Sequence, residues 1–137
     1  MKKKSTKPRS TGKTPTAPAV RVLYVEDHRD SLEVLSRLLR RWGFDVLTAD
    51  SLRSGIALLK DKQFDAIISD IALPDGSGYA LINEAKRGQK NVIGIALSGY
   101  DTPMDVEIGK LAGFDHHLTK PFDCDAIRSI LSGVLAA

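Results

Sequence analysis

The chain has 137 residues, 42% hydrophobic and 27% charged, which suits one ordinary domain with a core large enough to fold without staples. Its one cysteine, Cys124, excludes an internal disulfide, and no apolar run approaches the ~20 residues that span a bilayer. The net charge of +3 averages two unlike segments: residues 1–19 hold six basic groups and no acid, leaving 14 basic groups against all 17 acids in the rest.

The tail comes first. It carries Lys2, Lys3, Lys4, Lys7, Arg9 and Lys13 among Pro8, Pro15 and Pro18, with nothing large and apolar after Met1. Such a segment cannot bury enough surface to offset its ordering entropy, so residues 1–19 are expected to be disordered. No apolar stretch follows the basic residues, so this is no secretory signal. Gly12-Lys13-Thr14 looks like the end of a phosphate-binding loop, but Lys7 stands where that pattern needs its first glycine, and no strand precedes it. A soluble cytoplasmic protein with no membrane contact is expected.

From Val20 onward, runs of strand length alternate with helical periodicity. Val20 to Val25, Val46 to Ala49, Ala66 to Ser69, Val92 to Leu97 and a weak His117-Leu118 stretch predict five strands. Leu32, Leu35, Leu38, Leu39 and Trp42 share one helical face, and Gly43 supplies a stop. Leu52, Ile56 and Leu59 mark a second helix with Ser51 as N-cap. Leu81, Ile82 and Ala85 suggest a third, and Val106, Ile108 and Leu111 before Gly113 a fourth. Asp123 caps a fifth, built on Ile127, Ile130, Leu131 and Val134. Five βα units with nearly continuous apolar strands predict an open parallel α/β sheet covered by helices on both faces.

In such sheets the site lies beyond the carboxyl ends of the strands. The first strand runs into Glu26 and Asp27, the third into Asp70, the fourth into Ser98 and the fifth into Lys120. Taken singly, each has an ordinary explanation as a helix cap, turn or loop residue. Their coincidence on one edge does not. Three crowded carboxylates suit a hard divalent cation, and Mg²⁺ is commonly held by one or two carboxylates plus further oxygens. A carboxylate beside it can attack phosphorus and become an acyl phosphate, with Lys120 and the Ser98 hydroxyl meeting the phosphoryl oxygens. No histidine–cysteine cluster offers zinc ligands, and the adjacent His116 and His117 point to opposite faces of a strand.

Over Val20 to Leu135 the sequence resembles a response-regulator receiver domain of two-component signalling. The motifs are Tyr24-Val25-Glu26-Asp27, Ser69 through Gly78 (SDIALPDGSG), Ala96-Leu97-Ser98-Gly99 and Leu118-Thr119-Lys120-Pro121-Phe122. Residues 20–137 then form the receiver domain, a flavodoxin-like open five-stranded sheet of order 2-1-3-4-5. The resemblance implies that Asp70 accepts a phosphoryl group from a phosphohistidine of a histidine kinase or phosphotransfer protein. It implies Mg²⁺ on Asp27, Asp70, the Ala72 backbone carbonyl and Glu26, the last through water. It makes Ser98 the switch hydroxyl that moves toward the phosphoryl group, gives Lys120 an ion pair with that group, and makes the Lys120–Pro121 peptide cis. Two departures stand out. Glu26-Asp27 replaces a common pair of aspartates, and His117 occupies the output-switch position usually held by Tyr or Phe.

The chain ends at Ala137, right after the fifth helix, so output is expected through contact with a downstream protein. A receiver cut from a longer hybrid kinase, or a relay intermediate touching nucleic acid through residues 2–13, is the alternative. Six cations could give salt-sensitive affinity for nucleic acid. The tail has no aromatics or base-reading order, however, so a solubilising role is preferred. An aspartate-nucleophile phosphohydrolase would carry a second Asp two residues after the first, where Ala72 stands. A flavin module would need a phosphate loop where Glu26 and Asp27 repel phosphate. The chain is therefore expected to accept a phosphoryl group and at most lose it slowly, rather than act as an enzyme.

Overall fold

The computed structural model describes residues 19–136. The tail expected to be disordered lies outside the described residues except for Ala19. The elements in chain order are β1 (Arg21–Val25), α1 (Arg29–Arg41), β2 (Asp45–Ala49), α2 (Leu52–Asp61) and β3 (Ala66–Asp70). There follow β4 (Ala72–Leu73), β5 (Gly76–Ser77), α3 (Gly78–Gly88), β6 (Ile93–Ser98), α4 (Pro103–Ala112), β7 (His116–Thr119) and α5 (Cys124–Ala136).

The five long strands pair in parallel in the order β2-β1-β3-β6-β7, which is the 2-1-3-4-5 order that the resemblance implies. Alternation along β1 divides the core. Val22 and Tyr24 face one layer with Leu35 and Leu39 of α1 and Ile127 and Leu131 of α5. Leu23 and Val25 face the other, with Leu59 of α2, Leu81 and Ile82 of α3, and Phe114. Burial on both faces explains why β1, β3 and β6 read as continuous apolar runs. Each large side chain removed from water there contributes roughly 1.5–3 kcal/mol against the entropy of ordering.

Local chemistry sets the element ends. Gly43 takes φ +99° just after α1, a conformation that a side chain would strain. The Ser51 side chain accepts the Ser54 N–H at the start of α2. Asp123 Oδ1 accepts the Asp125 N–H at the start of α5. Thr102 and Asp105 form a reciprocal capping box on α4, whose first residue is Pro103.

Three details differ from the sequence expectation. β6 runs one residue later than Val92–Leu97, so Ser98 belongs to the strand itself. β7 extends to His116 and Thr119 because pairing with β6 supplies a ladder that its own residues barely signal. The β4–β5 hairpin, paired through Ala72↔Ser77 and Leu73↔Gly76, was not anticipated, since two-residue strands leave no periodicity.

Candidate functional site

The carboxyl ends of the parallel strands deliver the chemistry to one edge. The Glu26 N–H donates to the Ala49 carbonyl, carrying β1's pairing with β2 one residue past the strand. The Glu26 carboxylate is 1% exposed, and its Oε2 accepts the His28 N–H at 3.1 Å. Asp70 is the last residue of β3, in register with Leu97 of β6. Lys120 follows β7 and is tied to the neighbouring strand by its own N–H, which donates to the Ser98 carbonyl at 2.7 Å. The Lys120–Pro121 peptide is cis.

Lys120 spans the site. Its Nζ donates to Asp70 Oδ2 at 2.9 Å and to Glu26 Oε1 at 3.4 Å. Burial opposes the lysine's charge, but the hydrogen bond to Asp70 and the two nearby negative charges outweigh it and raise its pKa. Glu26 moves above the usual carboxylate range chiefly because it is buried; the His28 N–H works against this, and the charge of Asp70 adds to it. The Tyr24 hydroxyl, on the next buried layer, is pushed up by burial and by the same two carboxylates. Two acids and one cation therefore leave a negative balance that the protein alone does not neutralise.

Glu26, Asp27 and Asp70 each offer a carboxylate oxygen within 4.8 Å of the others, the one such cluster of three among the described residues. An all-oxygen donor set with a raised Glu26 pKa fits a hard divalent cation, which would compensate the surplus charge. Ala72 is exposed in β4, two residues beyond Asp70. Gly78 closes the back of the loop: a Cβ there would come within 2.5 Å of the Asp70 carbonyl and 3.1 Å of Ser69 Oγ.

Ser98 is 5% exposed, and its Oγ accepts the Tyr100 N–H at 3.0 Å. The carbonyl of the same Tyr100 lies 2.8 Å from His117 Nε2. His117 is half-buried while His116 is exposed, in keeping with opposite faces. The residue that sequence analysis missed is Asp75. Its carboxylate accepts the Arg53 and Leu52 amides at 2.9 and 2.7 Å, which hold its pKa below the ordinary value. No local pattern could reveal a cap that comes from 23 residues away.

The family model of the response regulator receiver domain matches residues 22–132. The chain belongs to the receiver domain family. Among relatives of this receiver domain, the virulence sensor protein BvgS of Bordetella pertussis is 32% identical over 93% of the chain, which spans 11% of that protein. The chemotaxis response regulator CheY4 of Vibrio cholerae is 28% identical with a TM-score of 0.79, over 85% of this chain and 99% of that one. A response regulator from Burkholderia pseudomallei, solved with a phosphorylated aspartic acid, a calcium ion and citrate, is 26% identical with a TM-score of 0.76. That match covers 85% of this chain and 71% of the other. The chain is thus a receiver domain of two-component signalling with an acidic cluster at its sheet edge. No described helix is long and apolar enough to cross a membrane.

Proposed function

We propose that Asp70 is the phosphoacceptor of a signalling switch in the cytoplasm. It takes a phosphoryl group from a phosphohistidine on a histidine kinase or phosphotransfer protein. The observation that carries this reading is the position of its carboxylate: at a strand end, 2.9 Å from the Lys120 ammonium, inside a cluster of acids. The bound phosphoaspartate and calcium ion of the Burkholderia relative support it.

Glu26, Asp27, Asp70 and the Ala72 carbonyl would hold Mg²⁺, which supplies charge neutralisation for the phosphoryl oxygens. The Lys120 ammonium, 2.9 Å from Asp70 Oδ2, holds that carboxylate in place for attack. An Asp70 oxygen bonds to phosphorus as the bond from phosphorus to the histidine nitrogen breaks, and the electron pair leaves with the imidazole. Lys120 and the Ser98 hydroxyl then meet the new phosphoryl oxygens, and Ser98 releases the Tyr100 N–H as it turns. The chain has no second acid at Ala72 to drive turnover, so the group is stored rather than hydrolysed rapidly.

Output is by contact with another protein. Tyr100, Met104, Ile108 and Leu111 are 73%, 69%, 41% and 78% exposed, and the last three recur along α4 at steps of four and three. An apolar stripe of this kind, joined to Ser98 through the Tyr100 N–H, suits a partner whose affinity depends on the switch.

The test is intact mass after incubation with a small phosphodonor and Mg²⁺. Wild type gains one phosphoryl group, chelation prevents it, and Asp70→Asn abolishes it because an amide is no nucleophile. An undiminished mass shift in Asp70→Asn would sink the assignment.

A further inference from the structure

Asp75 lies in the turn of the β4–β5 hairpin, five residues past Asp70, and its side chain reaches to α2 rather than to its own loop. Oδ1 accepts the Leu52 N–H at 2.7 Å and Oδ2 the Arg53 N–H at 2.9 Å. These are the first two amides of α2, which no helical carbonyl can serve. Ser51 caps only the Ser54 amide, and α2 has no acid in its first turn. The charge that favours a helix N-terminus is therefore supplied from another element.

The hairpin needs an external hold. Its strands are two residues each, and so short a ribbon is marginal by itself. The Leu52 side chain lies against Gly76, at the place where a Cβ would have to sit. Asp75 and Gly76 thus engage the same residue, Leu52, one through its amide and the other through its side chain. Between Asp70 and this anchor lies Ala72.

We propose that Asp75 is a positioning residue: by clamping the hairpin to the N-terminus of α2, it fixes the Ala72 carbonyl and so sets the affinity of the acid cluster for Mg²⁺. This rests on the metal assignment proposed above. A plain helix cap would alter stability alone, whereas a clamp alters metal affinity at equal stability.

The experiment is a calorimetric Mg²⁺ titration of the full chain as wild type, Asp75→Ala, and Asp75→Ala combined with Arg53→Glu. The double variant returns an acid to the first turn of α2, and negative charge to that neighbourhood, without reconnecting the hairpin. Asp75→Ala is expected to bind Mg²⁺ about tenfold more weakly, the effect of losing a group that orients a ligand. The double variant is expected to recover melting temperature but not affinity. Asp75→Asn, which keeps one acceptor oxygen, should fall between wild type and Asp75→Ala. Unchanged affinity in Asp75→Ala overturns the clamp, and so does affinity that returns with stability in the double variant. A wild type that binds no Mg²⁺ overturns the metal assignment first, and the clamp's role with it.

Discussion

His117 Nε2 and the carbonyl oxygen of Tyr100 are 2.8 Å apart. A carbonyl only accepts, so Nε2 carries the hydrogen and the ring is fixed as that tautomer when neutral. Because the Tyr100 N–H donates to Ser98 Oγ, one residue is held at both ends, by the Ser98 hydroxyl and by the His117 ring. His117 Nδ1 is buried and has no hydrogen-bond partner among the described residues. It belongs to the lining of a cavity of about 30 Å³ shared with Val106, Gly109 and Phe114. The ring that stands in for the usual Tyr or Phe therefore holds the β6–α4 loop through a hydrogen bond that Phe could not make.

Replacing the ring should free the loop. In His117→Phe, amide exchange over residues 99–102 is expected to rise about fivefold, the worth of one hydrogen bond of ~1 kcal/mol. His117→Tyr should also enlarge the difference on α4 and α5 between states with and without a phosphoryl mimic. Hydrogen–deuterium exchange of the three proteins checks both. Equal loop exchange in all of them would show that the contact to Tyr100 holds nothing.

Glu26→Gln should stabilise the chain at neutral pH in the absence of divalent cations. Burial raises the folded carboxyl above its unfolded value of about 4.3, so the native state binds a proton that the unfolded chain has lost. Wild-type stability then falls as pH rises from the unfolded value through the raised folded one, and Gln does not titrate. The gap between the two proteins should open across that window and persist at pH 7. Urea unfolding from pH 4 to pH 8 measures it; a gap independent of pH would contradict the burial argument.

Gly78→Ala should damage fold and chemistry together. The added Cβ would meet the Asp70 carbonyl at 2.5 Å and the Ile71 Cα at 3.2 Å, and backbone cannot yield as a flexible side chain does. Overpacking of this kind costs about 1–3 kcal/mol. Denaturant unfolding and phosphoryl uptake by mass should both fall. Full uptake at wild-type stability would mean that the loop adapts freely.

What could be read in advance follows from where the information lies. The two-sided burial of β1, β3 and β6 is written locally, as runs such as Ile67-Ile68 and Ile95-Ala96-Leu97. The gathering of Glu26, Asp27, Asp70 and Lys120 followed from one rule about parallel sheets, and the structure brings all four together. The Thr102–Asp105 box is also written locally, as polar residues at a spacing of three that the apolar periodicity of α4 does not include. Asp75 and His117 are different. Their partners, the α2 amides and the Tyr100 carbonyl, are backbone groups that gain meaning only when distant segments meet.

Lys120 and Glu26 are 94 positions apart in the chain, and Lys120 and Asp70 are 50 apart. Contacts this distant are closed at an entropic cost that grows with the intervening length. The cation reaches Asp70 from the segment just after β7, which pairs with β6. A chain interrupted anywhere in α4 would carry Asp70 but lack Lys120. The Asp70–Lys120 ion pair is thus a property of the finished sheet, in which β7 lies beside β6.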